Sequence, residues 1–313
     1  MKIAFIFPGQ GSQYAGMGQK MYAQYPAARE IFRQADEVLG FPLSRLCIEG
    51  PAEELQKTIN AQPAILTVSV ACLRVLQEKG VRPAAVAGHS LGEYSALVAA
   101  GALAFRDALL LVRKRGQYMQ EAVPLGEGGM VAVLGLDGEA VSGICREVAE
   151  KGYLCEVANF NCPGQVVIAG EMKALAKASR LAKAAGAKRC VPLAVSAPFH
   201  SRLMRPAAEK LAADLAGTVL VDPKVPVVAN VTADYVRNGE EIRKLLVEQI
   251  FSPVRWEQSM HRLLKDSVNI FLEVGPGNVL TGLLRKINRQ AAAGNVEDPE
   301  SLEKALAHCG EVS

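Results

Sequence analysis

The sequence predicts an α/β protein: a large α/β domain interrupted by a small inserted one. Three observations carry that reading. Apolar runs at 3–7, 84–87 and 269–274 each lead into a Gly-containing turn, as buried strands of such a sheet do. The stretch from Met130 to Val191 reads β-α-β-β-α-β, the order of the ferredoxin-like split βαβ unit. Between the run at 84–87 and a helix-forming stretch lies Gly88-His89-Ser90-Leu91-Gly92, a Gly-x-Ser-x-Gly turn. The resulting division is 1–123 and 195–313 for the large domain and 124–194 for the small one.

The elements follow in order. Ile3–Phe7 is a strand closing on Pro8-Gly9-Gln10-Gly11-Ser12-Gln13. That loop matches neither Gly-x-x-x-x-Gly-Lys-Ser/Thr nor Gly-x-Gly-x-x-Gly. Two readings stay open for it: a structural turn, or a loop presenting backbone N–H groups to a ligand. Helices are expected over about 19–39 and, after Pro63, over 64–79 with Gly80 as cap. The serine turn leads into a helix at 93–100 ended by Gly101, then one at 105–122 stopped by Pro124. In the small unit, strands are expected at 130–134, 153–158, 165–169 and 188–191, and helices at 138–151 and 172–185. The large domain resumes with a loop at 195–201, helices over 202–215 and 240–249 and from Trp256, and strands at 225–230 and 269–274. The polar, Ala-rich tail after about Gln290 is expected to pack loosely.

Composition narrows the function classes. Half of the 313 residues are hydrophobic and 21% are charged, as in an ordinary globular protein. A net charge of +3 makes no case for nucleic acid. The seven cysteines are scattered, odd in number and free of Cys-x-x-Cys, which reads as reduced thiols of a cytoplasmic protein without a zinc site. Met1-Lys2 runs straight into the first strand, so no signal peptide is expected. The apolar region at 84–105 is broken by His89, Glu93 and glycines, so no membrane span is expected there. No heptad seam calls for self-association, and a monomer is expected.

The chemistry centres on Ser90. A serine on a tight strand-to-helix turn is exposed with a helix N-terminus behind it, the construction of a nucleophile. It needs a base. His89 sits inside the turn, cannot fold back on the hydroxyl and reads as structural; His261 and His308 read as surface residues. His200 follows Pro198 in a loop and precedes a helix, whose N-terminus would keep the imidazole neutral. No acidic third member stands out, which leaves a dyad with the ring oriented by a backbone carbonyl. Arg115 shares a helix face with Ala108, Leu111, Val112, Tyr118, Met119 and Ala122, so it points at the core. A core arginine must find an anion. Either a buried Asp or Glu supplies it, or a substrate carboxylate does.

Together these motifs resemble the malonyl-CoA:acyl carrier protein transacylases of bacterial fatty acid synthesis, from end to end. The matching segments are Phe7-Pro8-Gly9-Gln10-Gly11-Ser12-Gln13, Gly88-His89-Ser90-Leu91-Gly92-Glu93-Tyr94, Arg115-Gly116 with Met119-Gln120, and Asn159-Phe160-Asn161 with Pro163-Gly164-Gln165. Ser196-Ala197-Pro198-Phe199-His200-Ser201, Gln249 before Ser252-Pro253-Val254, and Glu273-Val274-Gly275-Pro276-Gly277 complete the set. The resemblance implies an α/β-hydrolase-like domain carrying a ferredoxin-like one. It implies Ser90 as the acylated nucleophile, His200 as its base and Arg115 as the holder of the malonyl carboxylate. Backbone N–H groups of Gln10 and Leu91 would form the oxyanion hole, the Gln249 carbonyl would orient His200, and the bulk of Phe199 would disfavour a methyl branch.

By the same resemblance no cofactor is bound. The substrates are malonyl-CoA and the 4'-phosphopantetheine of holo acyl carrier protein, an acidic and transient partner. Lys183, Lys188, Arg189, Arg205, Arg285 and Lys286 could meet such a carrier or be ordinary solvated surface. Other readings are an acyltransferase serving a polyketide synthase, a serine hydrolase, and an inactive carrier-binding scaffold.

Overall fold

In the computed structural model, described over residues 2–195 and 197–310, strands assemble into two sheets. Ser196, part of the loop before His200, and the side chains of His308 and Cys309 lie outside the described residues. The strands are β1 (Ile3–Phe7), β2 (Ala85–Gly88), β3 (Gly128–Leu134), β4 (Cys155–Cys162), β5 (Gln165–Glu171), β6 (Arg189–Pro192), β7 (Val227–Val228), β8 (Ile270–Val274) and β9 (Ala292–Val296).

The larger sheet has the order β7-β2-β1-β8-β9 and every pairing in it is parallel. A parallel sheet must be covered on both faces, and the pleat sorts β1 accordingly. Phe5 and Phe7 join a core with Ile65, Val68 and Cys72 of the helix Thr58–Glu78. Ala4 and Ile6 join a second core with Trp256, Met260 and Leu280. The helix Thr58–Glu78 is long and apolar enough to cross a membrane, but 83% of its apolar window is buried inside the fold, which makes it a core helix.

The smaller sheet is antiparallel with the order β4-β5-β3-β6, and helices Gly138–Glu150 and Met172–Ala184 belong to the same segment. The split βαβ topology is therefore the one the element order predicts. β4 runs further than expected. Its far half bridges to the large domain, where the Phe160 N–H donates to Val254 O at 2.9 Å and the Val254 N–H donates to Ala158 O at 2.8 Å. That link brings Asn161 to His89, just past β2, and Asn159 to the cavity beside Ser90.

Several expectations are corrected. The helical stretch at 19–39 is two helices, Gln19–Gln24 and Pro26–Leu39, because Tyr25 before the proline is extended. The core helix starts at Thr58, not after Pro63; the proline falls inside it. The strand expected over 225–230 shrinks to Val227–Val228, and the helix expected from 202 opens as a 3-10 turn at Arg202–Met204. Short helices at Leu43–Glu49 and Val279–Ile287 were not anticipated. The tail is not loose. β9 pairs with β8, and the helix Pro299–Gly310 buries Leu302 and Ala305. Burial of Val296, Leu302 and Ala305 outweighs the weak strand propensity of an Ala-rich segment.

Candidate active site

The carboxyl ends of β1, β2 and β7 converge, as they do at the ligand sites of open parallel sheets. β2 leads into the turn that holds Ser90 in the left-handed region at φ 51°. The glycines around it are demanded by proximity. A Cβ on Gly92 would sit 2.1 Å from the Phe7 carbonyl oxygen, and one on Gly88 would sit 1.9 Å from Gly92 backbone. A side chain at either position would push the helix Gly92–Ala99 off β1.

Asn230, just past β7, braces the turn. It is fully buried, accepts from the Ser90 N–H at 2.7 Å and donates Nδ2 to Gly88 O at 2.6 Å. It thereby satisfies two backbone groups that the strained turn leaves without helix or sheet partners.

His200 reaches Ser90 from a loop 110 residues away, with its own backbone at φ 60°. Its Nε2 lies 2.8 Å from Ser90 Oγ, and its Nδ1 lies 2.8 Å from the Gln249 carbonyl oxygen. A carbonyl only accepts, so Nδ1 carries the proton and Nε2 is the basic nitrogen. Burial, and then the charge of Arg115, push His200 down to about 3 from its ordinary value near 6.5. These two causes keep the ring neutral.

Arg115 is 1% exposed. Among the described residues it forms no salt bridge, so the alternative of a buried Asp or Glu partner is not what the structure contains. Neutral oxygens hold it instead. Its Nη1 donates to Gln62 Oε1 at 2.8 Å, and its Nη2 donates to Gln249 Oε1 at 2.9 Å and to Ser90 Oγ at 3.1 Å. The Tyr94 ring lies 5.7 Å from the guanidinium carbon, and Nε has no partner. An under-partnered buried guanidinium 3.1 Å from the Ser90 hydroxyl is equipped to receive an anion.

Ser90 Oγ thus accepts from Arg115 and donates to His200. The backbone N–H groups of Gln10 and Leu91 have no protein partner among the described residues, unlike that of Ser90. A cavity of about 390 Å³ opens over Ser90, lined by Gln10, Gln62, Arg115, Phe199 and His200 from the large domain and by Met130, Asn159 and Leu193 from the small one. His89, which also lines this cavity, bonds away from the Ser90 hydroxyl: its Nε2 lies 2.9 Å from Asn161 Oδ1, and its ring is 5.5 Å from that of Trp256.

Sequence reasoning missed Asn230, Gln62 and Glu93 as members of the site. Glu93 is 3% exposed, and its Oε2 accepts from the Asn230 N–H at 3.0 Å and from Gln249 Nε2 at 2.8 Å. Burial raises it to about 7, against the pull of those donors and of Arg115. A signal was present: an acid alone on a helix otherwise made of Tyr, Ser, Ala, Leu and Val has to be buried.

Known proteins resemble this chain in sequence and in fold. The acyl transferase domain model covers residues 4–303. A malonyl CoA-acyl carrier protein transacylase of Bacillus subtilis (strain 168) is 54% identical over 97% of this chain and 96% of its own length. One from Escherichia coli (strain K12) is 50% identical over 97% and 99%. An acyl-carrier-protein S-malonyltransferase from Burkholderia pseudomallei 1710b superposes with a TM-score of 0.96 at 48% identity, covering 98% of this chain and all of that one. A malonyl-transacylase solved in complex with a type II PKS acyl-carrier protein gives the same four values. With the model and the relatives both spanning nearly its whole length, the chain belongs to the acyl transferase family, among its malonyl CoA-acyl carrier protein transacylases.

Proposed function

We propose that this protein moves a malonyl group from malonyl-CoA to the phosphopantetheine thiol of acyl carrier protein, for fatty acid synthesis, through an ester on Ser90. The observation that carries this reading is Arg115, buried, without a carboxylate partner, and 3.1 Å from Ser90 Oγ. A thioester bearing a free carboxylate completes what the arginine lacks.

In the first half-reaction Ser90 Oγ attacks the thioester carbonyl and its proton passes to His200 Nε2. The Gln249 carbonyl holds the ring in the tautomer that can accept it. The oxyanion is stabilised by the N–H groups of Gln10 and Leu91, a contribution of a few kcal/mol per donor. Collapse breaks the C–S bond, and the leaving thiolate takes the proton from His200. In the second half the carrier thiol gives its proton to His200 and attacks the ester carbonyl; the bond from Ser90 Oγ to the acyl carbon breaks, and Oγ takes the proton back from His200. Arg115 holds the carboxylate throughout, and Phe199 crowds the position a methyl branch would occupy. The small unit at 124–194 forms the second wall of the cleft. No bound cofactor enters any step, and the protein acts as a monomer in the cytoplasm with an acidic carrier as its transient partner.

The test is the intact mass of the protein after mixing with malonyl-CoA. A malonyl adduct is expected on the wild type and not on Ser90→Ala, and holo acyl carrier protein is expected to discharge it. No wild-type adduct, or an adduct that survives Ser90→Ala, overturns the mechanism. A polyketide carrier is a second reading, favoured by the similarity to the malonyl-transacylase solved with a type II PKS carrier. Discharge rates with the two kinds of carrier separate them.

A further inference from the structure

Gln249 has an amide that can be turned either way, and the function of Arg115 depends on which way it faces. As it stands, Gln249 Oε1 accepts from Arg115 Nη2, while Nε2 donates to Glu93 Oε2 at 2.8 Å and to the Ser90 carbonyl at 3.1 Å. Rotated by half a turn, the amide would direct two N–H donors at a guanidinium that has only donors of its own. Of the two groups that accept from Nε2, the Ser90 carbonyl also receives the Glu93 N–H, at 3.1 Å. Glu93 Oε2 offers the shorter contact. It is a carboxylate oxygen with no donor form when ionised, and the Asn230 N–H fixes it from the other side at 3.0 Å.

We infer that Glu93 is a positioning residue for substrate selection: it locks the Gln249 amide with its oxygen toward Arg115, and so aims the guanidinium at Ser90. This rests on the reading of Arg115 as the carboxylate holder. Glu93 touches neither the reacting atoms nor the substrate and acts through Gln249. Both donors converge on Oε2 alone, so the arrangement needs one fixed acceptor atom and not the negative charge.

The substitutions follow from that. Glu93→Gln keeps an oxygen where Oε2 lies. Glu93→Met keeps the bulk and removes the acceptor, leaving Gln249 free to rotate. A misaimed guanidinium harms a donor with a carboxylate more than one without. The readout is therefore the ratio of kcat/KM for malonyl-CoA to that for acetyl-CoA, which a general loss of packing leaves unmoved. A buried hydrogen bond to a charged group is worth about tenfold or more in such a ratio.

The experiment measures that ratio in wild type, Glu93→Gln, Glu93→Met, Gln249→Met and Arg115→Ala. Glu93→Met is expected to lose at least about tenfold in the ratio, while Glu93→Gln stays within about threefold of wild type. The double variant Glu93→Met/Gln249→Met is expected to be no worse than Gln249→Met alone, since Glu93 acts only through that amide. A Glu93→Met protein with an unchanged ratio overturns the inference, as does a double variant whose losses add. If Glu93→Met does not fold, Gln249→Met decides: its ratio should collapse, and a wild-type ratio there overturns the inference. Arg115→Ala separates the two levels. Malonyl preference retained in Arg115→Ala sinks the carboxylate-holder reading itself; preference lost there but kept in Glu93→Met sinks only the role of Glu93.

Discussion

Lowering the pH tests the most specific claim of the site, that His200 is a neutral base far below its ordinary range. His200 is pushed down to about 3, first by burial and second by Arg115, with His89 adding to the push. At pH 5 a histidine titrating at about 6.5 is only about 3% neutral, whereas one at about 3 is about 99% neutral. The second-order rate of Ser90 acylation, kcat/KM for malonyl-CoA, reports the free enzyme. It should be flat within about twofold from pH 7.5 to 5, where an unperturbed base would cost about thirtyfold. Glu93 titrates inside this window, at about 7. A proton on its Oε1 leaves Oε2 free to accept from Asn230 and Gln249, so no acid limb follows from it. Stopped-flow or quenched-flow acylation across pH 5–8 measures the profile. An acid limb with a midpoint near 6.5 refutes the reasoning. A second result is expected from the same data. Bound malonyl carboxylate cancels the charge of Arg115 felt by His200, so kcat should lose activity at a higher pH than kcat/KM does. The reverse order would mean that the carboxylate does not sit on Arg115.

Three further outcomes follow from the packing. Gly92→Ala places a Cβ 2.1 Å from the Phe7 carbonyl oxygen and should abolish folding, whereas Gly143→Ala, whose nearest neighbour is 3.8 Å away in a helix, should stabilise by up to about 1 kcal/mol; circular dichroism melts compare them. Asn230→Ala leaves the Ser90 N–H and the Gly88 carbonyl buried without partners and should cost about 2–4 kcal/mol by urea unfolding, with acylation lost beyond the stability effect. Leu302→Ala should cost about 2–4 kcal/mol, because Leu302 is fully buried; a change under about 0.5 kcal/mol would return the tail to the loosely packed state the sequence suggested.

The parts of the molecule legible in sequence are those whose signal is local. The turn around Ser90 announces itself by its glycines and flanks, the small unit by its element order, and Arg115 by its place on an apolar helical stripe. What stayed hidden depends on contacts across the chain. Asn230 braces a residue 140 positions away, and nothing in Val-Ala-Asn-Val-Thr sets it apart from any strand end. β9 exists because β8 offers it an edge, not because Ala292-Ala293-Gly294-Asn295-Val296 prefers to be extended. Pro63 misled in the opposite sense: it looked like a helix boundary, and the packing of the turns on either side carries the helix through it.

Under the role proposed for Arg115, the way it is held would tie specificity to catalysis. Paired with an internal carboxylate it would be electrically satisfied, and a substrate anion would have to displace that partner. Held by the amide oxygens of Gln62 and Gln249, it is fixed in position while its charge stays uncompensated at short range. The nearest acid in this network, Glu93, is one amide further away. A buried cation in that state is costly, by several kcal/mol, and the cost is relieved when a carboxylate binds. The same uncompensated charge depresses His200. With Arg115 as the proposed carboxylate holder and His200 as the proposed base, substrate binding would do two things at once: satisfy the arginine and raise the basicity of the histidine that takes the proton from Ser90. A donor without a carboxylate fails on both counts, with a weaker hold and a weaker base. Discrimination against acetyl groups should accordingly appear in kcat as well as in KM, which a simple binding pocket would not produce.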